Sequence, residues 1–234
     1  MMIRPGVSTQ ALQPGHSWCR NTLQAAGVFG WKIQSNDFKE NYNPGTTPKV
    51  TYLLYEMKWG RSKKFWRQWC KSNTAQHAEV VCLERDFKTA EFRPSVRCSI
   101  TWFLSWSPCG ECCHCIVEFL KAHPSVTLKI RFARVFRRED ECNQQGIRNL
   151  MKNGVDIDIM KLKDYRYCWR IFVAHQNRKE GNFWPWFHQI VFYGLAHQRD
   201  RWDSLCCQQD ISEHHQHRQS RPVRQLVPNA ITRV

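Results

Sequence analysis

The sequence predicts an α/β fold: a sheet, parallel at least in its second half, with helices packed against it. Two observations carry this. Segments of strand composition alternate with segments of helical spacing across short connections from about residue 50 to residue 174, and strands separated by helices pair in parallel. The 234 residues are 42% hydrophobic and 24% charged, enough apolar material for a substantial core in one domain with appendages.

Residues 1–31 are rich in Gln, Gly, Ser and Pro and read as a flexible arm, followed by a domain over residues 32–198. After the turn signal Asn43-Pro44-Gly45, two β-prone runs, Val50–Trp59 and Lys64–Cys70, flank Gly60-Arg61-Ser62 and predict a hairpin. His77–Lys88 has helical spacing, with Thr74 as its N-cap. Val96–Trp106 is dense in β-branched and aromatic residues, hence a strand. Ser107-Pro108 then opens a helix through Leu120, with Ser as N-cap and Pro at the first helical position. The alternation continues with a strand over Val126–Phe136, a helix over Asn143–Lys152 closed by Asn153-Gly154, a strand over Val155–Met160 and a helix over Asp164–Ala174. Residues 189–197 read as one more helix or strand, and residues 199–234 as a polar, disordered tail.

Composition narrows the function. Lys and Arg total 35 against 20 Asp and Glu, a formal charge of +15, and a surplus of that size points to a polyanionic partner. The 11 Trp residues lie beside those charges, and single-stranded nucleic acid is held by both cationic and stacking groups. Basic residues cluster at Lys49, Lys58, Arg61, Lys63, Lys64, Arg67 and Lys71, and again at Lys129, Arg131, Arg134, Arg137 and Arg138. A solvated charged face is the ordinary reading of such runs, but here aromatics interleave. No apolar h-region opens the chain, and the longest apolar run, Ile190–Ala196, is far short of the ~20 residues that span a bilayer. Twelve cysteines without a signal peptide imply reduced thiols, some metal-bound, in the cytoplasm and/or nucleus.

Two short segments carry the chemistry: His77-Ala78-Glu79 and Pro108-Cys109-Gly110-Glu111-Cys112, each at a predicted strand-to-helix transition. Cys109 and Cys112 share a helix face in its first turn, where the dipole favours thiolate. Two thiolates and an imidazole suit one zinc ion per chain and leave a fourth tetrahedral corner for water. Zinc lowers the pKa of bound water from about 15.7 to about 7, and Glu79 is placed to act as the general base. The pairing H-x-E…P-C-x-x-C is the zinc-deaminase signature. The competing reading is a closed structural zinc drawing a fourth ligand from Cys113, His114 or Cys115. It leaves Glu79 without a role, and Cys113 and His114 face away from Cys109 on a helix. Cys113, Cys115, Cys82, Cys98 and Cys168 read as small buried hydrophobes.

The stretch Ser99-Ile-Thr-Trp-Phe-Leu-Ser-Trp-Ser-Pro-Cys-Gly-Glu-Cys112 resembles the AID/APOBEC polynucleotide cytidine deaminases. So do Thr51-Tyr-Leu-Leu-Tyr-Glu56, Phe132-Ala-Arg-Val-Phe136 and Tyr167-Cys-Trp-Arg-Ile-Phe-Val173, and Leu54–Gly60, Gln145–Arg148 and Cys168–Arg170 are most similar to the mRNA-editing branch. The resemblance covers about residues 31–186. It implies a cytidine deaminase-like mixed five-stranded sheet flanked by about six helices, and hydrolysis of cytosine to uracil in single-stranded RNA and/or DNA. It assigns His77, Cys109 and Cys112 to zinc and Glu79 to proton transfer. It also implies that Asn73, Thr51, Trp106 and Phe136 line the base pocket, and that the loop Phe136–Glu141, with Arg137 and Arg138, reads the base on the 5′ side. An RNA-binding editing cofactor protein is an implied partner. The family's mRNA editors continue into a Leu- and Pro-rich apolar segment, whereas this chain turns polar after about His197 and lends no support to an oligomer. Three other readings stay open: a tRNA adenosine deaminase, a free-nucleoside deaminase, and a non-catalytic nucleic-acid-binding module with a structural zinc. The tail histidines His214, His215 and His217 read as solvated.

Overall fold

The computed structural model describes residues 31–175 and 194–205. The arm up to residue 30, residues 190–193 of the apolar run, and the tail from residue 206 with its histidines lie outside the described residues. The elements are β1 (Ile33–Gln34), α1 (Ser35–Asn41), β2 (Tyr52–Trp59), β3 (Trp66–Lys71), α2 (Ala78–Val81), which runs on as a π turn (Cys82–Phe87), β4 (Cys98–Leu104), α3 (Gly110–Ala122), β5 (Val126–Phe132), α4 (Glu141–Lys152), β6 (Asp156–Ile159), α5 (Leu162–Phe172) and β7 (Val173–Ala174). A last helix, α6, covers residues 194–205.

Five strands form one sheet in the order β3-β2-β4-β5-β6. β2 pairs antiparallel with β3 and β4, while β4, β5 and β6 are parallel. The mixed sheet, parallel in its second half, is the one the sequence implies. Side chains alternate across it because successive Cβ atoms in a strand point to opposite faces. Leu53, Tyr55 and Met57 join Trp102, Ile130, Ile116 and Ile147 on one face, under α2, α3 and α4. Tyr52 and Leu54 join Phe38, Phe103, Tyr165 and Trp169 on the other, under α1 and α5. Burial of this kind is worth about 25 cal/mol per Å² of apolar surface, which explains why both faces of the central strands are apolar.

Several expectations are corrected. Thr74 does not cap α2: the N-cap is His77, without a side-chain cap bond, and the Asn73 Oδ1 instead accepts the Ala75 and Gln76 N–H groups at 2.8 Å each. Ser107 does not cap α3, because its Oγ accepts the Phe136 N–H at 2.9 Å; the cap is Cys109. The strand expected to reach Phe136 ends at Phe132. The expected tail boundary at residue 199 falls inside α6, where Trp202 and Leu205 are buried in the main core and the Trp202 ring lies 5.0 Å from that of Phe132. Residues 199–205 therefore belong to the domain. No helix among the described residues is long and apolar enough to cross a membrane.

Candidate active site

The topology gathers the chemistry at one edge of the sheet. β3 and β4 both run antiparallel to β2, so they end on the same side, and β5 and β6 end there with them. The chain leaving β3 enters α2 at His77, and the chain leaving β4 enters α3 at Cys109. His77 Nδ1 lies 3.3 Å from Cys112 Sγ and 3.4 Å from Cys109 Sγ. The Cys109 sulfur occupies the N-cap seat and accepts the Cys112 N–H at 3.5 Å. The hydrogen bond from the Cys112 thiol, with help from the Cys112 N–H and His77, lowers Cys109 to about 5; Cys112, which keeps the proton, is pushed up. Glu79 is 3% exposed, and burial, reinforced by Cys109, raises its carboxyl to about 7.

This donor set fits zinc. Bond lengths of about 2.3 Å to sulfur and 2.0–2.1 Å to nitrogen place tetrahedral N and S ligands about 3.5 Å apart, close to the 3.3 and 3.4 Å found here. Among the described residues no fourth His, Cys, Asp or Glu joins the triangle, and exposure rises from buried Cys112 through Cys109 to exposed His77. One side of the triangle is thus accessible to a non-protein ligand. The closed alternative loses its donors: Cys113 is buried in the core, and Cys115 lies on the solvent face of α3 with Glu111, His114 and Glu118. The reading of Cys115 as buried is corrected by that face.

The other candidates lie at the same sheet edge, on the segments that precede β2 or follow β3, β4 and β5. Thr51 is tied to the segment that carries Asn73, its N–H donating to Ser72 Oγ at 3.0 Å and its carbonyl accepting the Ser72 N–H at 2.9 Å. With its Oδ1 engaged by two backbone groups, exposed Asn73 has its NH₂ to offer outward. Trp106 and Phe136 meet edge to face at 6.1 Å, and Trp106 Nε1 donates to the Pro48 carbonyl at 3.1 Å. Arg137 is exposed, adopts a positive φ of 37° and lies over the Phe136 ring at 5.4 Å. Arg138 turns away, bonded to Glu139 at 2.8 Å and to Ser204 of α6 at 3.3 Å. Asp140, from the same loop, caps α4 through the Asn143 N–H at 3.1 Å.

A protein-family model described as APOBEC4-like AID/APOBEC deaminase matches residues 41–175, a window that contains every candidate site residue. The C->U-editing enzyme APOBEC-1 of Mus musculus is 47% identical over 154 residues, 66% of each chain, and that of Homo sapiens 46% identical over 166 residues, 70% of each. The chain belongs to the AID/APOBEC deaminase family. The matched segments span about two thirds of the length of those relatives. A DNA dC->dU-editing enzyme, APOBEC-3H of Felis catus, is 32% identical over 138 residues, 59% of this chain and 69% of that protein.

Three residues that hold the surrounding segments together have no signature in the sequence. Arg134 is 1% exposed; it donates to the carbonyls of Asn41 and Asn43 and sits 4.5 Å from the Trp106 ring. Ser107 fastens the end of β4 to the chain beyond β5 through Phe136 N–H. Asn143 accepts the Gly110 N–H at 2.8 Å and so caps α3 from α4. Their roles exist only once distant segments meet. In the second basic run Lys129 and Arg131 pair with Asp156 at 3.2 and 2.8 Å, Arg134 is buried, and Arg137 is exposed beside Phe136.

Proposed function

We propose that the protein is a zinc-dependent cytidine deaminase that converts cytosine to uracil in single-stranded polynucleotides, RNA and/or DNA. The observation that carries this is the triangle of His77, Cys109 and Cys112, open on one side, with a buried carboxyl, Glu79, two residues from its imidazole. When bound, zinc supplies an acidified water and hence a nucleophile at neutral pH. Glu79 would take one proton of the attacking water and deliver it to N3 of the ring as C4 is attacked, then take the second from the new C4 hydroxyl and pass it to the amine, which leaves as ammonia as the C4 carbonyl forms. Trp106 and Phe136 offer ring surfaces to the base, and Asn73 and Thr51 offer an amide and a hydroxyl at its rim. The relatives named for C->U and dC->dU editing support cytosine over adenine. Arg137 and Phe136 select the neighbouring base on the 5′ side, and an RNA-binding cofactor protein assists in the cytoplasm and/or nucleus.

The test is direct. Purified protein is incubated with single-stranded RNA, single-stranded DNA, duplex DNA, free cytidine and an adenosine-containing tRNA stem-loop. Uracil should form in the single strands and not in the duplex or free nucleoside. Inosine in place of uracil would contradict the reading, as would turnover of free cytidine alone.

A further inference from the structure

A second cluster of metal-ligating side chains lies along the same helix, one turn past Glu79. Cys70, at the end of β3, and Cys82 and Asp86, in the π turn, bring their sulfur and carboxylate atoms within 4.8 Å of one another. The cysteines are 1% and 0% exposed and the Asp86 side chain 6%. Cys70 Sγ is 3.3 Å from Asp86 Oδ2, near the roughly 3.5 Å that separates sulfur and oxygen ligands on a tetrahedral zinc. The three groups bring two soft donors and one hard donor to a single buried point.

The backbone supplies an independent observation. Lys88 N–H donates to the Leu83 carbonyl at 2.9 Å, five residues back, within the π turn that carries both Cys82 and Asp86. Such π turns are uncommon and frequently accompany functional sites. Charge closes the argument. Two thiolates and a carboxylate around a divalent ion leave one net negative charge, and a buried charge needs a partner. Arg85 is that partner: its Nε holds Asp86 Oδ1 at 2.7 Å and its Nη2 lies 3.3 Å from Cys70 Sγ. Asp86 Oδ2 faces Cys70 Sγ and also accepts from the Tyr55 hydroxyl at 2.7 Å and from Arg85 Nη2 at 3.3 Å.

We infer that Cys70, Cys82 and Asp86 form a second, buried site for a borderline-soft divalent cation of the zinc class, separate from His77, Cys109 and Cys112. Hard cations want oxygen ligands throughout, whereas two thiolates with a carboxylate suit zinc. A metal here ties the end of β3 to the helix that carries Glu79, and so braces the segment between them, which includes Asn73 and His77. The inference is independent of the deamination reading.

The experiment counts zinc. Full-length protein, purified under reducing conditions, is equilibrated with Zn²⁺, dialysed into metal-free buffer and analysed for zinc per chain. Two ions are expected for the wild type and one for the Cys70→Ala/Cys82→Ala variant; with cobalt in place of zinc, thiolate-to-metal absorption should fall by about half, from four thiolates to two. If that variant does not fold, Asp86→Asn should likewise drop from two ions to one. A single zinc in the wild type overturns the assignment. So does a second zinc that survives the substitutions, as the tail histidines would retain it, or a mass two hydrogens lower that reveals a Cys70–Cys82 disulfide.

Discussion

Arg134 is solvated by protein instead of water. Its guanidinium serves the carbonyls of Asn41 and Asn43 and lies against the Trp106 ring, and although burial lowers it to about 10, it stays charged at neutral pH. Arg134→Met keeps most of the packing but removes both donors. An unsatisfied buried group costs about 1–3 kcal/mol, so urea denaturation should report a loss of about 2–4 kcal/mol, together with weaker turnover as Trp106 loses its support. Wild-type stability in this variant would mean that the two carbonyls find other donors. The ligand cysteines make a different prediction. Cys109→Ser and Cys112→Ser should each lower zinc content and Tm together, because metal-binding energy is in part folding energy. A variant that loses zinc at unchanged Tm would separate the two.

At the scale of elements, α3 and α4 meet through glycine. A Cβ on Gly110 would lie 2.3 Å from Cys142 Sγ and 2.6 Å from the Cys142 carbonyl oxygen, and one on Gly146 would lie 2.9 Å from Gly110 Cα. Gly110→Ala must push the helices apart. Overpacking of this kind costs about 1–3 kcal/mol, and since Gly110 follows Cys109 directly, zinc retention should fall as well; thermal denaturation and metal analysis read the two effects. The loop before α4 divides its labour. Asp140→Ala removes an N-cap and should cost about 1 kcal/mol while leaving the 5′-base profile on a randomised substrate pool unchanged. Arg137→Ser should alter that profile at unchanged stability. The opposite pattern would make the loop a cap and nothing more. Elements with strong periodicity, such as β4, α3, β5 and α4, were legible in the sequence because their burial follows their own spacing. α1 was not, since only Phe38 is apolar in Ser35–Asn41 and its helix depends on tertiary contact. The end of α6 was missed for a similar reason: Trp202 and Leu205 stand among Arg, Asp and Gln, although with Leu195 they fall at helical spacing. In the site, His77, Glu79, Cys109 and Cys112 declared themselves through local spacing, whereas Arg134 and Ser107 acquire meaning only when β5 lies beside β4.

Across the whole molecule, the net charge of +15 favours binding to a polyanion without regard to sequence. If about five phosphates of a single strand are neutralised, log affinity should fall with log salt at a slope of roughly −3 to −4. Filter binding across a salt series measures it, and a flat response would contradict a polynucleotide substrate. The fold places a metal triangle, a buried carboxyl and an aromatic pair at one sheet edge within that positive field, and the central claim is that this arrangement deaminates cytosine through Glu79. The most direct measurement compares wild type and Glu79→Gln, with zinc content and uracil formation determined on the same single-stranded RNA and DNA oligonucleotides. The account predicts uracil from the wild type, none from Glu79→Gln, and equal zinc at the His77, Cys109 and Cys112 site in both. Near wild-type turnover by a zinc-loaded Glu79→Gln protein would contradict it.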